Sequence, residues 1–295
     1  MRRFLKNFSL FIGPLILLFV TLFTYINIVN KNNFEQFRFD PSINILAAGD
    51  SHVQETVNDG LVRNIKNVAY SSETFIYSFY KIKTLTKNNP NINTILLGVS
   101  YHSFTDYLDE ITYLHYVLGR YFYILPFDAQ IKMISEVENP VSFIFKSILH
   151  ESENLITNSV KNGWLGWYEN YATSVTISEK TIKERIETQY YLNKKIRGFS
   201  DANINYFKAI VNYCREKNIV LIILNTPMHR SYKEKVPKKF IDKFYSVIED
   251  SDAMLFEFDE LSLTDDYYLP DGDHVNGKGA ILATKYLIEI LSLKK

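Results

Sequence analysis

Residues 43–52 read INILAAGDSH. Ile45, Leu46, Ala47 and Ala48 follow the polar pair Pro41-Ser42, then Gly49-Asp50-Ser51 breaks the apolar run. An amphipathic stretch spaced for a helix over 53–65 comes next. A short apolar run that ends in glycine ahead of such a stretch predicts a buried strand turning into a helix. Ser51 then stands at a helix N-terminus, where unpaired N–H groups favour negative charge. That setting suits a serine nucleophile, because acyl transfer develops an oxyanion. The simpler reading is a helix cap by Asp50 or Ser51, and this stretch alone leaves both open.

The other end of the chain supplies the partners a nucleophile needs. Leu269-Pro270-Asp271-Gly272-Asp273-His274-Val275-Asn276-Gly277-Lys278-Gly279 is a polar loop before a final amphipathic segment at 280–293. It carries a carboxylate three residues before a histidine, a spacing that lets both side chains rise from one tight turn. A serine nucleophile requires a base, and the base an orienting acid. Ser51, His274 and Asp271 fill the three roles, with Asp273 read as a turn former bonding backbone N–H groups.

Together these two stretches resemble the SGNH (GDSL-type) hydrolase superfamily. Its first block is a Gly-Asp-Ser closing the first strand, here Gly49-Asp50-Ser51. Its last is Asp-x-x-His before the final helix, here Asp271 to His274. The stretch Asn67-Val68-Ala69-Tyr70-Ser71-Ser72-Glu73-Thr74 is similar to the second block, with Ser72 where the family has glycine. Gly98-Val99-Ser100-Tyr101 stands where the third block has Gly-x-Asn-Asp, so asparagine is absent. The resemblance covers residues 43–100 and 201–295. It implies a serine acyl-ester hydrolase with catalytic Ser51, Asp271 and His274. Oxyanion donors are expected from Ser51, Ser72 and Ser100, with His102 an alternative to Ser100. His52, His102 and His229 are candidate substrate contacts. No cofactor and no metal are expected. An O-acyltransferase with the same triad, or a decayed glycan-binding or assembly protein, are the alternatives.

Two rival constellations compete. Gly98-Val99-Ser100-Tyr101-His102 is similar to a Gly-x-Ser-x-Gly nucleophile elbow that lacks its last glycine. Asp271, Asp273, His274, His52 and His102 offer metal-ligating side chains, in no diagnostic spacing.

Around these blocks the chain alternates. Strands are expected at 43–48, 67–70, 94–99, 219–225 and 253–258, and helices at 53–65, 74–88, 203–217, 238–249 and 280–293. Such alternation predicts an α/β fold with a doubly wound parallel sheet, flavodoxin-like, whose ligands sit beyond the carboxyl ends of the strands. Ser51, Ser100 and the 226–231 loop all fall there. Residues 101–200 read as a largely helical, aromatic-rich insertion over that edge, with helices at 128–136 and 178–195. Within it, Asn162-Gly163-Trp164-Leu165-Gly166-Trp167-Tyr168 reads as core packing or as a platform for sugar rings.

Residues 8–29, FSLFIGPLILLFVTLFTYINIV, hold no charge. At ~1.5 Å per residue they reach about 33 Å, against a bilayer core of roughly 30 Å. An uncleaved transmembrane helix is expected, because no small-residue cleavage site follows the run. Arg2, Arg3 and Lys6 outweigh Lys31 and Arg38 and put the N-terminus in the cytoplasm, with the main domain outside. The expected organisation is a tip and anchor at 1–29, a linker at 30–40, and an α/β domain at 41–295 with its insertion at about 101–200. Thirty-three basic and 33 acidic residues give a net charge of zero over 295 residues, which argues against a nucleic-acid partner. The single cysteine, Cys214, admits no intramolecular disulfide and reads as a core residue. The expected partners are the membrane and an acylated cell-surface glycan or other acyl ester, O-acetyl esters foremost.

Overall fold

The computed structural model describes residues 2–156, 163–171, 176–258 and 260–293. Its centre is a five-stranded parallel sheet of β1 (Ile45–Ala48), β2 (Ile65–Asn67), β3 (Thr94–Gly98), β6 (Val220–Asn225) and β7 (Met254–Glu257). The order across the sheet is β2-β1-β3-β6-β7 and every pairing is parallel. The two short strands β4 (Tyr191–Leu192) and β5 (Lys195–Ile196) form a separate antiparallel hairpin.

Helices cover both faces, as the apolar strands require. Leu46, Ala48, Ile95, Leu97 and Ile223 point into one core layer. That layer is closed by α3 (Phe75–Asn88), α9 (Asp201–Glu216) and α11 (Lys238–Glu249). The intervening Ala47, Leu96, Ile222 and Leu224 point into the other. There they meet α2 (Ser51–Thr56) and α12 (Gly277–Leu293). Alternate residues feeding two separate layers is the period-2 signature of a sheet buried on both sides. Crossovers run in opposite directions from β1, to β2 on one side and β3 on the other. Their carboxyl ends therefore frame the crevice where ligands bind in such sheets. Cys214 is buried, as expected of a core residue.

Two elements near β1 differ from expectation. The helix expected over 53–65 stops at Thr56, and the strand expected at 67–70 begins at Ile65. Asn58-Asp59-Gly60 is a turn sequence, and the Asn58 side chain accepts from the Gly60 N–H (3.1 Å). The side-chain amide of buried Asn67 donates to the carbonyls of Val53 (3.0 Å) and Val57 (2.7 Å), and its oxygen accepts from the Ala69 N–H (3.0 Å). One amide thus completes the end of α2 and fixes the start of the second-block loop. At the other end α12 starts at Gly277, three residues early, because Asn276 Oδ1 accepts from the N–H groups of Lys278 and Gly279.

The insertion is largely helical among the described residues. It contains α4 (Tyr107–Thr112), α5 (His115–Tyr121), α6 (Phe127–Glu136), α7 (Pro140–Ile156) and α8 (Glu179–Tyr190). The helix expected over 178–195 ends at Tyr190. Asn193 and Lys194 take left-handed backbone conformations (φ 51° and 64°) that turn the β4–β5 hairpin instead. A short α10 (Arg230–Lys233) follows β6. Trp164 is buried with its ring edge-on to Phe34 and Phe37, so it is a packing residue. Trp167 is exposed against Tyr70. Asn162, the first residue of that aromatic stretch, lies outside the described residues.

The N-terminal helix α1 spans Arg2–Gln36, so most of the segment read as a linker at 30–40 is helical. Its C-terminal half packs on the insertion: Ile26 and Asn30 are buried and Phe23 meets Phe122. It is long and apolar enough to cross a bilayer, a length and composition shared by an anchor and a signal sequence.

Asn67→Ala strands carbonyls at the end of α2 and the Ala69 N–H at a fully buried position. Denaturant melts should show a loss of about 2 kcal/mol or more. An equal-sized loss is not expected for exposed Asn91→Ala, measured beside it.

Candidate functional site

Gly49 lets the crevice form. It sits at φ 138°, and a Cβ there would stand 3.1 Å from the Gly98 backbone nitrogen. A Cβ on Gly98 would in turn lie 2.3 Å from Val53 Cγ2. The two glycines let the loops after β1 and β3 touch. Asp50 caps α2, its Oδ1 accepting from the His52 N–H (3.0 Å). With capping done by Asp50, the Ser51 hydroxyl is free for another partner.

That partner is His274. Ser51 Oγ lies 2.8 Å from His274 Nε2, and His274 Nδ1 lies 2.7 Å from Asp271 Oδ2. The other oxygen of Asp271 accepts from the backbone N–H groups of Asp273 (3.0 Å) and His274 (3.2 Å). Gly272 at φ 63° folds the loop round so that Asp271 reaches beneath the ring. The turn-forming role expected of Asp273 therefore belongs to Asp271.

Asp273 has a different place. It is fully buried and takes charged donors on both oxygens: His52 Nε2 lies 2.9 Å from Oδ1, while Arg185 Nε (2.8 Å) and Gln189 Nε2 (2.9 Å) donate to Oδ2. The other nitrogen of His52 lies 3.1 Å from Asp50 Oδ1, and His102 Nε2 lies 3.2 Å from Asp50 Oδ2. Burial pulls the His52 pKa down, but Asp273 and Asp50 outweigh it and raise it to about 10. His52 is thus an imidazolium at neutral pH. Its charge holds both carboxylates well below their usual range against burial, which pushes them up. Burial lowers His102 and keeps it neutral. The three rings stand in a row, with centroids 4.9 Å (His102 to His52) and 4.5 Å (His52 to His274) apart.

The substrate contacts read from the sequence divide accordingly. His102 lines the cleft. His52 is buried with both nitrogens on carboxylates and does not line it. His229 also stands apart: its N–H donates to the Gly272 carbonyl (2.7 Å) and its Nε2 lies 3.2 Å from Asp265. It braces the back of the Asp271 loop. Ser100 is buried below the cleft lining, its N–H donating to Ser103 Oγ (2.9 Å). The side-chain metal ligands weighed earlier do cluster, in two groups that share His52. In the arrangement described, both nitrogens of His52 are taken up by Asp50 and Asp273.

Ser72 lines the same cleft at φ 66°. This left-handed backbone explains why a glycine would be at home there. The N–H groups of Ser51 and Ser72 donate to no protein acceptor among the described residues. Beneath them a buried cluster holds the loop: Lys81 donates to the Val68 carbonyl (2.7 Å) and to Glu73, which also accepts from Ser78 and Tyr121 (2.7 Å each).

Two cleft residues escape a motif reading. Glu55, on α2, is buried with Oε2 unpartnered among the described residues, and burial pushes its carboxyl up. Arg185 comes from α8, in the insertion. A signal for α8 existed: Arg185 and Gln189 share the inward face of an otherwise apolar Ile182–Ile186 stripe, one turn apart. The cleft holds ≈ 210 Å³.

No family model and no curated protein matches the chain. Among solved structures, it is similar to a crystal structure of the psychrotrophic esterase EstA from Pseudoalteromonas sp., inhibited by monoethylphosphonate. Identity is 11%, the TM-score is 0.39, and the match covers 84% of this chain and 97% of that one.

Removing His52 leaves two buried carboxylates short of a counter-charge. His52→Ala should cost about 3–5 kcal/mol in melts at pH 7. His52 has a raised pKa, so its contribution is present at neutral pH and lost as pH rises through about 10. Asp50 and Asp273 are depressed, so theirs is lost as pH falls below the ordinary carboxylate value of 3.8. The stability difference between wild type and variant should therefore shrink at both ends of a pH series.

Proposed function

We propose that the chain is a membrane-anchored serine esterase that removes small O-acyl groups, acetyl foremost, from glycans outside the membrane. The observation that carries this reading is the unbroken hydrogen-bonded chain from Ser51 through His274 to Asp271. His274 Nε2 takes the hydroxyl proton as Ser51 Oγ attacks the ester carbonyl, and Asp271 holds the ring in the tautomer that leaves Nε2 free. The Ser51 and Ser72 N–H groups face the developing oxyanion, with neutral His102 beside them on the cleft wall. His274 then returns the proton to the departing sugar oxygen, and water repeats the sequence on the acyl-enzyme. The acyl group is small because a cleft of ≈ 210 Å³ falls below the roughly 300–1,000 Å³ of common ligand pockets. The glycan assignment draws support from α1 as an anchor and from the basic residues ahead of it, which favour an outward-facing domain.

A second reading, O-acyl transfer, is favoured by two polar residues of the cleft, one on α2 and one on α8 of the insertion. Glu55 and Arg185 enclose the cleft with polar groups able to seat an acceptor hydroxyl in place of water. Product analysis with an acetyl donor and a sugar acceptor separates the two outcomes. The intact triad geometry weighs against a decayed glycan-binding protein.

A fluorophosphonate probe should label the full-length protein at Ser51 alone, and Ser51→Ala should abolish labelling. Label on Ser100 would instead establish the elbow. Asp271→Asn should lower turnover by about 10⁴ with folding intact, measured with an acetyl ester.

Burial pulls the His274 pKa down, but Glu55 and Asp271 outweigh it and raise it above the ordinary 6.5. The base must be neutral, so labelling should rise with pH through an inflection above that value. Glu55→Gln removes the negative charge and should move the inflection to lower pH. An unmoved inflection would separate Glu55 from the base.

A further inference from the structure

The direction of α1 relative to the sheet places the cleft with respect to a bilayer. Helix α3 begins at Phe75, just after the cleft residues Ser72 and Glu73, and ends at Asn88, shortly before β3 starts. It therefore runs from the carboxyl edge of the sheet to the amino edge. α1 lies alongside in the same sense. Near its end the Phe34 carbonyl accepts from the Asn88 side chain. Further back, Asn27 and Phe23 border a groove whose other wall includes Tyr80 and Lys83. The apolar N-terminal part of α1 thus leaves the domain on the carboxyl-edge side, the side that carries Ser51.

The depth of the contact follows from the same helix. Phe23 packs on Phe122, and Asn27 Oδ1 accepts from Gln130 Nε2 (2.8 Å). At ~1.5 Å per residue, these contacts lie about 9 Å and 3 Å inside the end of the charge-free stretch at Val29. If that stretch is in lipid, the start of α6 lies at the membrane boundary. Large apolar side chains stand exposed on α6 and α7, where Phe127 is 66% exposed, Ile131 51%, Val141 76% and Phe145 53%, among the exposed acidic residues Asp128 and Glu136. Lys132 and Lys146 are interspersed and exposed. This mixture suits the headgroup and upper acyl layer rather than the hydrocarbon core. Lys31, Lys83 and Lys87 line the groove beside α1 together with Phe23, Ile124 and Leu125, Lys87 lying 3.7 Å from Glu35; lysine stems lie along apolar surface at an interface while the ammonium stays in water.

From these observations we propose that the face formed by α6 and α7 lies in the lipid interface beside α1 and holds the carboxyl edge of the sheet against the bilayer. The cleft is one helix away: α5 exposes Tyr116 outward while its Arg120 donates to the Ser71 carbonyl (3.2 Å) at the cleft wall. The ester that reaches Ser51 is then one displayed close to the membrane surface. The proposal rests on α1 being a transmembrane anchor, and its test reads that premise separately.

The full chain carrying Cys214→Ala receives one new cysteine at a time, Leu17→Cys, Phe127→Cys, Phe145→Cys or Glu249→Cys. Each is labelled with an environment-sensitive fluorophore and reconstituted in phosphatidylcholine nanodiscs, with and without nitroxide on the upper acyl chain. Fluorophosphonate labelling of Ser51 checks that each variant is folded. Probes at 127 and 145 should be quenched by about twofold or more, as interfacial burial requires, and the probe at 249 should not. Quenching at 17 without quenching at 127 and 145 overturns the proposal and leaves the anchor intact. No quenching at 17 removes the anchor and the proposal together, while Ser51 labelling leaves the triad standing. Intermolecular cross-linking through 145 in place of quenching would make the face a contact between copies and would also overturn it.

Discussion

The imidazolium of His52 is the constraint on which the candidate site depends. It sits between Asp50, which caps α2, and Asp273, which belongs to the loop of His274. These two segments are 221 residues apart in sequence between His52 and Asp273. Neither carboxylate would be stable in that interior without a positive partner, because burial of an uncompensated charge costs several kcal/mol. Arg185 and Gln189 complete the coordination of Asp273 from α8. The first block, the last block and the insertion therefore come together only when all of these donors are in place. A buried polar network of this kind is favourable when every member is satisfied and costly when one is missing, so it specifies one arrangement of the three segments.

The same cation acts on the electrostatics of His274. His274 lies with its ring centroid 4.5 Å from that of His52, tilted by 35°, and sees its positive charge, which opposes a proton on His274. Glu55 and Asp271 act in the other sense and prevail. The cleft thus holds a balance of nearby charges: a fixed cation behind the base, a fixed anion beneath it, and a buried carboxyl across from it. Glu55 is itself shifted upward by burial, so the group that most favours the His274 proton is also one that gives up its charge readily. A base poised this way responds to small changes in the cleft, including the arrival of a substrate that excludes water.

Much of this architecture was readable from local chemistry. The strand-glycine-helix pattern at residues 43–52 and the Asp-x-x-His spacing depend on backbone geometry that nearby residues dictate, and both the sheet and the Ser51–His274–Asp271 contact agree with them. The misreadings share one cause. Asp273, His52 and His229 take partners far along the chain, which their neighbours in sequence do not reveal. The premature end of the helix after Ser51 has the same origin in Asn67, although the Asn58-Asp59-Gly60 turn gave a local warning. Glu55 was hidden because one acidic residue on a short amphipathic helix looks like a solvated face until α12 and the histidine loop bury it.

The insertion resisted reading because it serves three surfaces at once. α8 contributes Arg185 and Gln189 to the site, α5 contributes Arg120 to the wall of the cleft, and α6 and α7 pack on α1. Each helix therefore has more than one apolar or polar face, and a single-stripe amphipathic pattern, the usual guide to orientation, is blurred. That blurring has structural meaning. A segment that only covered a sheet would bury one stripe and expose a polar back. Here the backs of α6 and α7 mix large apolar side chains with charged ones, and the apolar inward face of α8 carries Arg185 and Gln189. Arg185 ties α8 to the same carboxylate that holds His52, while Gln130 of α6 meets α1 through a neutral amide hydrogen bond to Asn27. The insertion thus meets both the cleft, through Arg185 and Arg120, and α1, through Gln130.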